Sequence, residues 1–480
     1  MKLSELTKNL DIIEFNASPD TEISGISYDS RTTQTGDVFV AISGFESDGH
    51  KYIPKAAEKG AAAVICEKVP ETDIPYVLVK DSRRALALIS CAFFGEPSKE
   101  LCMIGVTGTN GKTTTTHLIK HLLEDRLGTK VGLVGTNGNM IGDELIHTER
   151  TTPESYELQK LFREMRDAGC THVVMEVSSH SLALSRVEGI RFKIAVFTNL
   201  TQDHLDFHGT MEEYAKTKAR LFSACEYGCV NIDDEWSGLM LENAKCRVLT
   251  YSAEKNEADL VAKDIRLAAS GVKFCAVADG SLERMKLAIP GKFSVYNALS
   301  LISVGLCLGM SLSDCAEALA TAKGVKGRME LVPTPEDYTV VIDYSHTPDA
   351  LENALRALRQ TTSGRLVVLF GCGGDRDRKK RPVMGKIAAE NADLVIVTSD
   401  NPRTEDPQSI IDDIMVGVKS RRTPYKMICD RAEAIRWAID NHARNDVILL
   451  AGKGHEDYQV IGREKRHMDE REIIAEHLAK

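Results

Sequence analysis

The sequence predicts an α/β fold in three domains. Three observations carry the prediction. Short apolar runs of strand length alternate with segments of helical period along nearly the whole chain. Glycine- and proline-rich punctuation interrupts that alternation twice. The length, 480 residues, suits about three domains of ~150 residues.

The first expected domain is 1–98. Strand-like runs at 38–42, 62–66 and 76–79 alternate with helical ones at 53–59 and 82–94, and FGEPS at 94–98 marks a boundary with Gly95 and Pro97. The second, 99–332, opens on a buried-strand run at 101–106. Residues 113–127 then set Leu118, Ile119, Leu122 and Leu123 on one helical face. Further strands are expected at 131–134, 172–177, 195–198 and 229–232, and a helix at 211–223. Such alternation implies a parallel sheet flanked by helices. Residues 260–290 are strand-like and turn-rich, the pattern of a small antiparallel insertion, and helical patterns follow at 295–309 and 312–322. KGVKGRMELVPTPED, residues 323–337, supplies a second linker near 332. In the third expected domain, 333–480, strands at 339–342, 366–370, 393–397, 426–428 and 446–450 alternate with helices at 348–359, 382–390, 408–419 and 431–442.

Composition narrows the class. With 43% apolar and 27% charged residues the chain is ordinary globular material. A net charge of −10 argues against a generic nucleic-acid binder, whose phosphate-tracking surface needs a basic excess. It leaves a local basic pocket open. The twelve cysteines lack metal-knuckle or redox spacing, so they read as reduced thiols, mostly small core residues. The opening MKLSELTKNLDIIEF has acids where a signal peptide needs an apolar run, and Leu299–Met310 is too short to span a bilayer. A cytoplasmic monomer with no nucleic-acid partner and no membrane insertion is expected.

GVTGTNGKTTTTH, residues 105–117, is the first chemical signal. An apolar strand, a glycine loop and Lys-Thr opening a helix form the physical recipe for holding phosphate. Glycines let backbone N–H groups converge on oxygen, the helix start adds partial positive charge, the lysine adds a full one, and a threonine hydroxyl can bind Mg²⁺. Val106 stands where the usual loop has its first glycine, so the motif is a variant: Gly108, Thr109, Asn110, Gly111, Lys112, Thr113, followed by Thr114. A glycine turn without a ligand is the competing reading, and the strand before and helix after weigh against it.

Polar clusters follow at other strand ends, where open α/β sheets bind ligands. In MEVSSHSLALSR, Glu176 ends an apolar run, either as a solvated acid or as a carboxylate in reach of phosphate-bound Mg²⁺. In TNLTQDHLDFHGTMEEYAKTK, Asp203, His204, Asp206 and His208 crowd together, compatible with zinc, with Mg²⁺ or with a helix cap. In YNALSL, Asn297 begins a helix and reads as its cap or as a ligand. The C-terminal series adds DYSHTPDAL with Asp343, GCGGDRDRKKRP with Arg376, SDNPRTEDP with Asp400, Asn401, Pro402 and Arg403, and LAGKGHEDYQ with Gly452 and Glu456. Two arginines and an acid around one cleft suit a zwitterionic amino acid, because guanidinium forks bind carboxylate and carboxylate binds ammonium.

Taken in order, GTNGKTT, MEVSSH, NLTQDHLDFHG, YNALSL, KGRME, DYSHTPD and AGKGHE resemble the Mur ligases, ATP-dependent enzymes that add amino acids to the peptidoglycan precursor. DSR at 29–31, TTPE at 151–154 and GCGGDRD at 371–377 narrow the resemblance to the branch that adds the third residue. It spans nearly the whole chain. It implies a first domain for the UDP end of the substrate, a central P-loop-type ATP-binding α/β domain, and a C-terminal Rossmann-like domain for the incoming amino acid.

The resemblance also implies roles. Ser30 contacts the uridine nucleotide; Thr151, Thr152, Ser178 and Arg186 bind the UDP-muramoyl-dipeptide. Arg150 and Leu184 stand where some members have Asn and Gln, so those two contacts are not carried over. Asn297, Arg328 and Asp343 join the glycine loop and Lys112 at ATP. Thr113, Glu176 and His204 serve Mg²⁺, together with Lys218, whose spacing matches the family lysine that is carbamylated. Composition alone would leave Lys218 a solvated helix lysine no better than Lys216. DNPR at 400–403 resembles the signature of members that add meso-diaminopimelate. That amino acid carries a distal carboxylate suited to Arg403, with Arg376, Asp400, Asn401, Pro402, Gly452 and Glu456 completing the pocket.

The implied chemistry is γ-phosphoryl transfer to a substrate carboxylate, then attack by the amino acid's amine on the acyl phosphate. The linkers near 98 and 332 are the candidate hinges of domain closure. A lysine-adding homologue, folylpolyglutamate synthetase and a non-ligase phosphate-loop switch are the rival readings. The folylpolyglutamate enzyme would not need TTPE and DNPR, and a switch needs no amino-acid pocket.

Overall fold

The computed structural model describes every residue except 45–46, 149, 269, 335–336 and 480, and the side chain of Asp206. The chain is α/β throughout and divides into two compact units, residues 1–259 with 303–310, and residues 260–302 with 311–480.

The first unit opens with a sheet in the order Ile12–Asn16, Tyr76–Val79, Ala63–Cys66, Asp37–Val40, Gly25–Ser27. Only the first pair is antiparallel. Leu86 and Ile89 of helix Ser82–Phe93 pack on Val38, Ile65 and Val77, all almost fully buried. A larger parallel set follows, in the order Arg247–Ser252, Cys225–Asn231, Phe192–Phe197, Cys102–Thr107, Cys170–Glu176, Lys130–Val134. The antiparallel strands Asn139–Ile141 and Glu144–Ile146 extend its edge. Phe162, Met165, Phe192, Phe197 and Phe222 fill its core.

Strand Cys102–Thr107 sits where the order reverses. The chain runs from it first toward Lys130–Val134 and later returns on its other side at Phe192–Phe197. Ligands bind at the carboxyl end of such a switch point, and the glycine loop leaves from there.

In the second unit, Leu260–Ala268, Gly271–Ala278 and Ser281–Leu287 form the antiparallel meander expected for 260–290. A six-stranded sheet runs Glu330–Val332, Thr339–Asp343, Val447–Ala451, Leu366–Phe370, Leu394–Val397, Tyr425–Met427, parallel except for its first pair. Four adjacent strand ends, at Asp343, Ala451, Phe370 and Val397, therefore launch their polar loops side by side.

Some elements depart from the sequence reading. Strands Ile12–Asn16 and Gly25–Ser27, helix Ser155–Asp167, hairpin strands Tyr458–Ile461 and Glu464–His467, and helix Glu470–Leu478 were not expected. The helix at 211–223 is α only to Ala219, then a 3₁₀ turn over Arg220–Ser223. Asn297 lies inside helix Lys292–Cys307 rather than at its start. Six of the twelve cysteines, not most of them, are buried.

Candidate active site

The glycine loop is held in one shape by its neighbours. Gly108 and Gly111 have φ of +150° and +85°. A Cβ on Gly108 would lie 2.0 Å from Thr198 Oγ1 and 3.0 Å from the Asn199 carbonyl, so only glycine fits. Thr109 N donates to the Asn199 carbonyl at 2.8 Å, Asn110 N to Asn199 Oδ1 at 2.9 Å, and Thr198 Oγ1 to the Asn110 carbonyl at 2.7 Å. Lys112 opens helix Lys112–Leu127 and curls back, its Nζ 3.0 Å from the Gly108 carbonyl and 2.8 Å from that of Thr109. Thr113 is buried in the first turn.

Lys218 meets this loop from helix Met211–Ala219. Its side chain is 1% exposed, with Nζ 2.8 Å from the Gly108 carbonyl and 4.7 Å from the centre of the Tyr214 ring. Burial, with the Lys112 ammonium nearby, holds its amine well below the usual lysine range. Two lysines thus converge on one carbonyl. Lys216 points elsewhere, half exposed and paired with Glu212 and Glu213. Burial also pushes the Tyr214 phenol up to about 12.

Glu176 ends the strand paired beside the loop's own strand, opposite Val106. It is 1% exposed and accepts from Thr136 N at 2.9 Å and Thr136 Oγ1 at 3.2 Å. His204 has φ +53° and lies 3.3 Å from Asp203, its ring 4.8 Å from that of His180. His208 stacks on Tyr214 and meets Ser179 Oγ at 2.9 Å. Among the described residues no three His, Cys, Asp or Glu side chains converge as a ready cation cage. Of the expected metal residues Thr113, Glu176, His204 and Lys218, only Glu176 and His204 are of those types, and Asp206's side chain lies outside the described residues.

The TTPE segment is tied to Glu176 and its loop. Thr152 Oγ1 donates to the Glu176 carbonyl at 2.7 Å and accepts from Ser178 N at 3.2 Å. Thr151 Oγ1 lies 3.0 Å from Thr136 Oγ1. Arg186 donates to the Thr152 carbonyl and to Glu154 Oε2, each at 3.2 Å. A cavity of about 410 Å³ opens beside this segment, lined by Tyr28, Asn139, His147, Arg150, Glu154 and Lys160 among others. Arg150 reaches into it, 3.5 Å from Glu154. Leu184 caps helix Ser179–Ala183. Ser30 is buried just past strand Gly25–Ser27.

In the second unit, Asp343 Oδ2 accepts from Met329 N at 2.7 Å, which fixes the segment carrying Arg328. Arg328 lies over the Tyr344 ring, 5.2 Å from its centre. Asn297 is buried. The DNPR loop packs against GCGGDRD and AGKGHE. Asn401 Nδ2 donates to Glu456 Oε2 at 2.9 Å, while Asn401 Oδ1 accepts from Val460 N at 2.8 Å and Lys453 Nζ at 3.0 Å. Lys453, fully buried, also reaches Glu456 Oε2 at 2.8 Å. Arg403 has φ +50° and donates from Nη1 to the Gly374 carbonyl at 2.8 Å. A Cβ on Gly373 would lie 2.8 Å from Arg403 Nη1 and 3.9 Å from Arg376 Cγ, so both arginines flank Gly373. Asp400 Oδ2 would lie 2.7 Å from a Cβ on Gly452, which explains that glycine. All seven residues expected around the amino acid are thus gathered at these strand ends.

Lys453, Arg381 and Glu405 were missing from the expected site. Arg381 is 1% exposed and forks onto Glu405 at 2.8 and 3.1 Å. Its helical phase, shared with Met384, Gly385 and Ala388, marked it as inward-facing.

A cluster of carboxylates and guanidiniums and a glycine loop met by two lysines are the parts of an ATP-using ligase, and the comparisons agree. The descriptions "Mur ligase family, catalytic domain", "Mur ligase middle domain" and "Mur ligase, glutamate ligase domain" match residues 22–94, 106–305 and 327–454. The chain belongs to the Mur ligase family. Within it, the chain is 50% identical to a UDP-N-acetylmuramoyl-L-alanyl-D-glutamate–2,6-diaminopimelate ligase from Caldanaerobacter subterraneus, over all of this chain and 99% of that protein. The Clostridium botulinum protein of the same description is 48% identical over 99% of each. A solved structure so described aligns with a TM-score of 0.77 at 33% identity, covering 100% of this chain and 99% of that one. A Mycobacterium tuberculosis folylpolyglutamate synthase shares the fold alone, at TM-score 0.60 and 18% identity over 77% of this chain and 92% of its own.

Proposed function

We propose that this chain joins meso-2,6-diaminopimelate to UDP-N-acetylmuramoyl-L-alanyl-D-glutamate at the expense of ATP, in the synthesis of peptidoglycan precursor. The observation that carries the reading is the DNPR loop, where Arg403 and Arg376 flank Gly373 and Asn401 bonds to Glu456. Arginine forks suit carboxylates, and Glu456 suits an ammonium. Lysine offers no distal carboxylate, so the lysine-adding alternative leaves Arg403 without a carboxylate to bind.

The assigned ranges are 1–98 for the UDP end of the substrate, 99–332 for ATP and 333–480 for the amino acid. Ser30, Thr151, Thr152, Ser178 and Arg186 serve the UDP-muramoyl-dipeptide. The glycine loop cradles ATP phosphates, and the resemblance assigns ATP contacts to Asn297, Arg328 and Asp343 as well.

Mg²⁺ fits this donor set on one condition. Thr113, Glu176 and His204 are oxygen and nitrogen donors, but Lys218 as an ammonium is not a ligand. Carbamylation turns it into an anion and relieves the crowding of two lysines on the Gly108 carbonyl. Bound there, Mg²⁺ supplies charge neutralisation at the phosphates.

The residues then act by placement. A carboxylate is a poor acyl donor, because its oxygen is a poor leaving group. Phosphoryl transfer from ATP converts it to an acyl phosphate, with Lys112 offsetting the developing charge. The amino acid's amine, held by the DNPR pocket, attacks through a tetrahedral intermediate, and phosphate leaves. No protein nucleophile is needed; effective molarity can supply about 7–11 kcal/mol. A cytoplasmic, monomeric enzyme fits nucleotide-linked substrates, and no described helix is long and apolar enough to cross a membrane.

Product mass tests the reading. ATP, the UDP-muramoyl-dipeptide and diaminopimelate together should yield a nucleotide heavier by one diaminopimelate residue. An unchanged nucleotide mass overturns it.

A further inference from the structure

The loops that carry Arg376 and Arg403 are clasped to each other by groups with no part in the chemistry above. Both loops contain a strained residue. Asp375 has φ +53° and Arg403 φ +50°, a region unfavourable for any residue with a Cβ. The loops also touch backbone to backbone. Gly374 N donates to the Asn401 carbonyl at 2.9 Å, and a Cβ on Gly374 would lie 1.9 Å from the Pro402 carbonyl.

Glu405 closes the contact. Its Oε1 accepts from Asp375 N at 2.6 Å, the backbone of the strained residue itself. The same carboxylate takes both arms of Arg381, at 2.8 and 3.1 Å, and lies 2.8 Å from Arg378. Thr404 Oγ1 adds a bond to Asp375 Oδ1 at 2.8 Å. The Arg381 fork and the Asp375 amide hold the Glu405 carboxyl down at about 2, so it is ionised wherever the enzyme works. Arg381 has a second acid, Asp413, at 2.9 Å, but Asp413 sits on helix Pro407–Val418 and is half exposed.

We propose that Glu405 and Arg381 are positioning residues for the amino-acid substrate, their bidentate pair fixing Arg403 and Arg376 at the spacing that receives diaminopimelate's distal carboxylate. The inference rests on the diaminopimelate reading above. A guanidinium held by one corner on the Gly374 carbonyl binds a carboxylate well only if that carbonyl stays put. Glu405 acts on that carbonyl through the residue next to it.

The test compares Glu405→Gln with Asp413→Asn. The first keeps the shape and removes the charge that faces both loops; the second removes only the outer arm of Arg381. Glu405→Gln should raise KM for diaminopimelate about tenfold or more while kcat and KM for ATP stay within about twofold. Asp413→Asn should leave all three within about twofold. Hydrogen exchange on the substrate-free protein should show the Asp375 amide opening faster in Glu405→Gln only. Equal rises in both KM values, an unchanged diaminopimelate KM, or unchanged Asp375 exchange would each overturn the inference. If wild type ignores diaminopimelate, the substrate reading falls and takes the positioning role with it, whereas the exchange result still reports on the clasp.

Discussion

Lys216 and Lys218 lie two positions apart on helix Met211–Ala219, about 200° around its axis. That rotation sends Lys216 to water and Lys218 against the phosphate loop. Lys218→Ala should be nearly inactive in steady-state assays, with partial rescue by short-chain carboxylic acids that take the place of the proposed carbamate. Lys216→Ala should stay within about twofold, because an exposed helix pair is worth only ~0.3–0.5 kcal/mol. The reverse ranking would refute the assignment of the lysine. Composition could not separate the two, but helical phase could. Tyr214, Ala215, Lys218 and Ala219 share the buried face, so a lysine there needed a reason.

Arg403 sets the second test at this scale. In the proposed complex Arg403→Ala removes one partner of a charge-assisted pair with the distal carboxylate, a loss of typically ~2–5 kcal/mol. The specificity constant for diaminopimelate should fall accordingly, with KM for ATP nearly unchanged. Arg403→Lys should also be poor, since an ammonium cannot reproduce the fork. Full diaminopimelate activity in Arg403→Ala would remove the specificity argument. DNPR was legible as a motif. Its left-handed backbone and the pairing of Arg381 with Glu405 were not, because helical phase turns Arg381 inward without naming its partner 24 residues further on.

Elements buried on both faces were the easiest to read. Leu366–Phe370 and Val447–Ala451 are buried along their whole length and appear as plain apolar runs. Ile12–Asn16 is exposed at every residue and Glu464–His467 likewise, so neither leaves a pattern. Helix Ser155–Asp167 did leave one, Leu158, Leu161, Phe162 and Met165 at helical spacing.

The loop-to-helix junction at Lys112 yields a prediction at this level. Lys112→Ala should abolish most turnover yet keep the circular dichroism and melting profile of wild type. Turnover within a few-fold of wild type would refute the phosphate loop. Stability should respond elsewhere. Arg431 and Glu470 are both fully buried and joined at 2.8 Å, linking helices Arg431–Asp440 and Glu470–Leu478, while Arg431 also donates to the Ala451 carbonyl. Arg431→Ala strands a buried carboxylate and should cost about 3–5 kcal/mol in urea unfolding. A double replacement by apolar residues of similar volume should cost much less.

At the scale of the whole molecule, strand order explains why widely separated motifs collaborate. In the first unit the switch point gathers residues near 108, 176 and 199 around one strand end. In the second, four neighbouring strand ends gather residues from 343 to 456. The order of motifs along the chain was visible in the sequence, and with it the family. The strand permutation that makes them neighbours was not, since long crossover connections leave open which parallel strands pair.

The choice of amino acid defines what this chain makes, and ADP release reports that choice. ADP release is measured with ATP, UDP-N-acetylmuramoyl-L-alanyl-D-glutamate and a panel of amino acids that includes meso-diaminopimelate and L-lysine. Release should depend on both the dipeptide and the amino acid, with a specificity constant for diaminopimelate at least about thirtyfold above that for lysine, the equivalent of the lower end of the ~2–5 kcal/mol of a buried charge pair. A preference for lysine, or release that needs no amino acid, would contradict it.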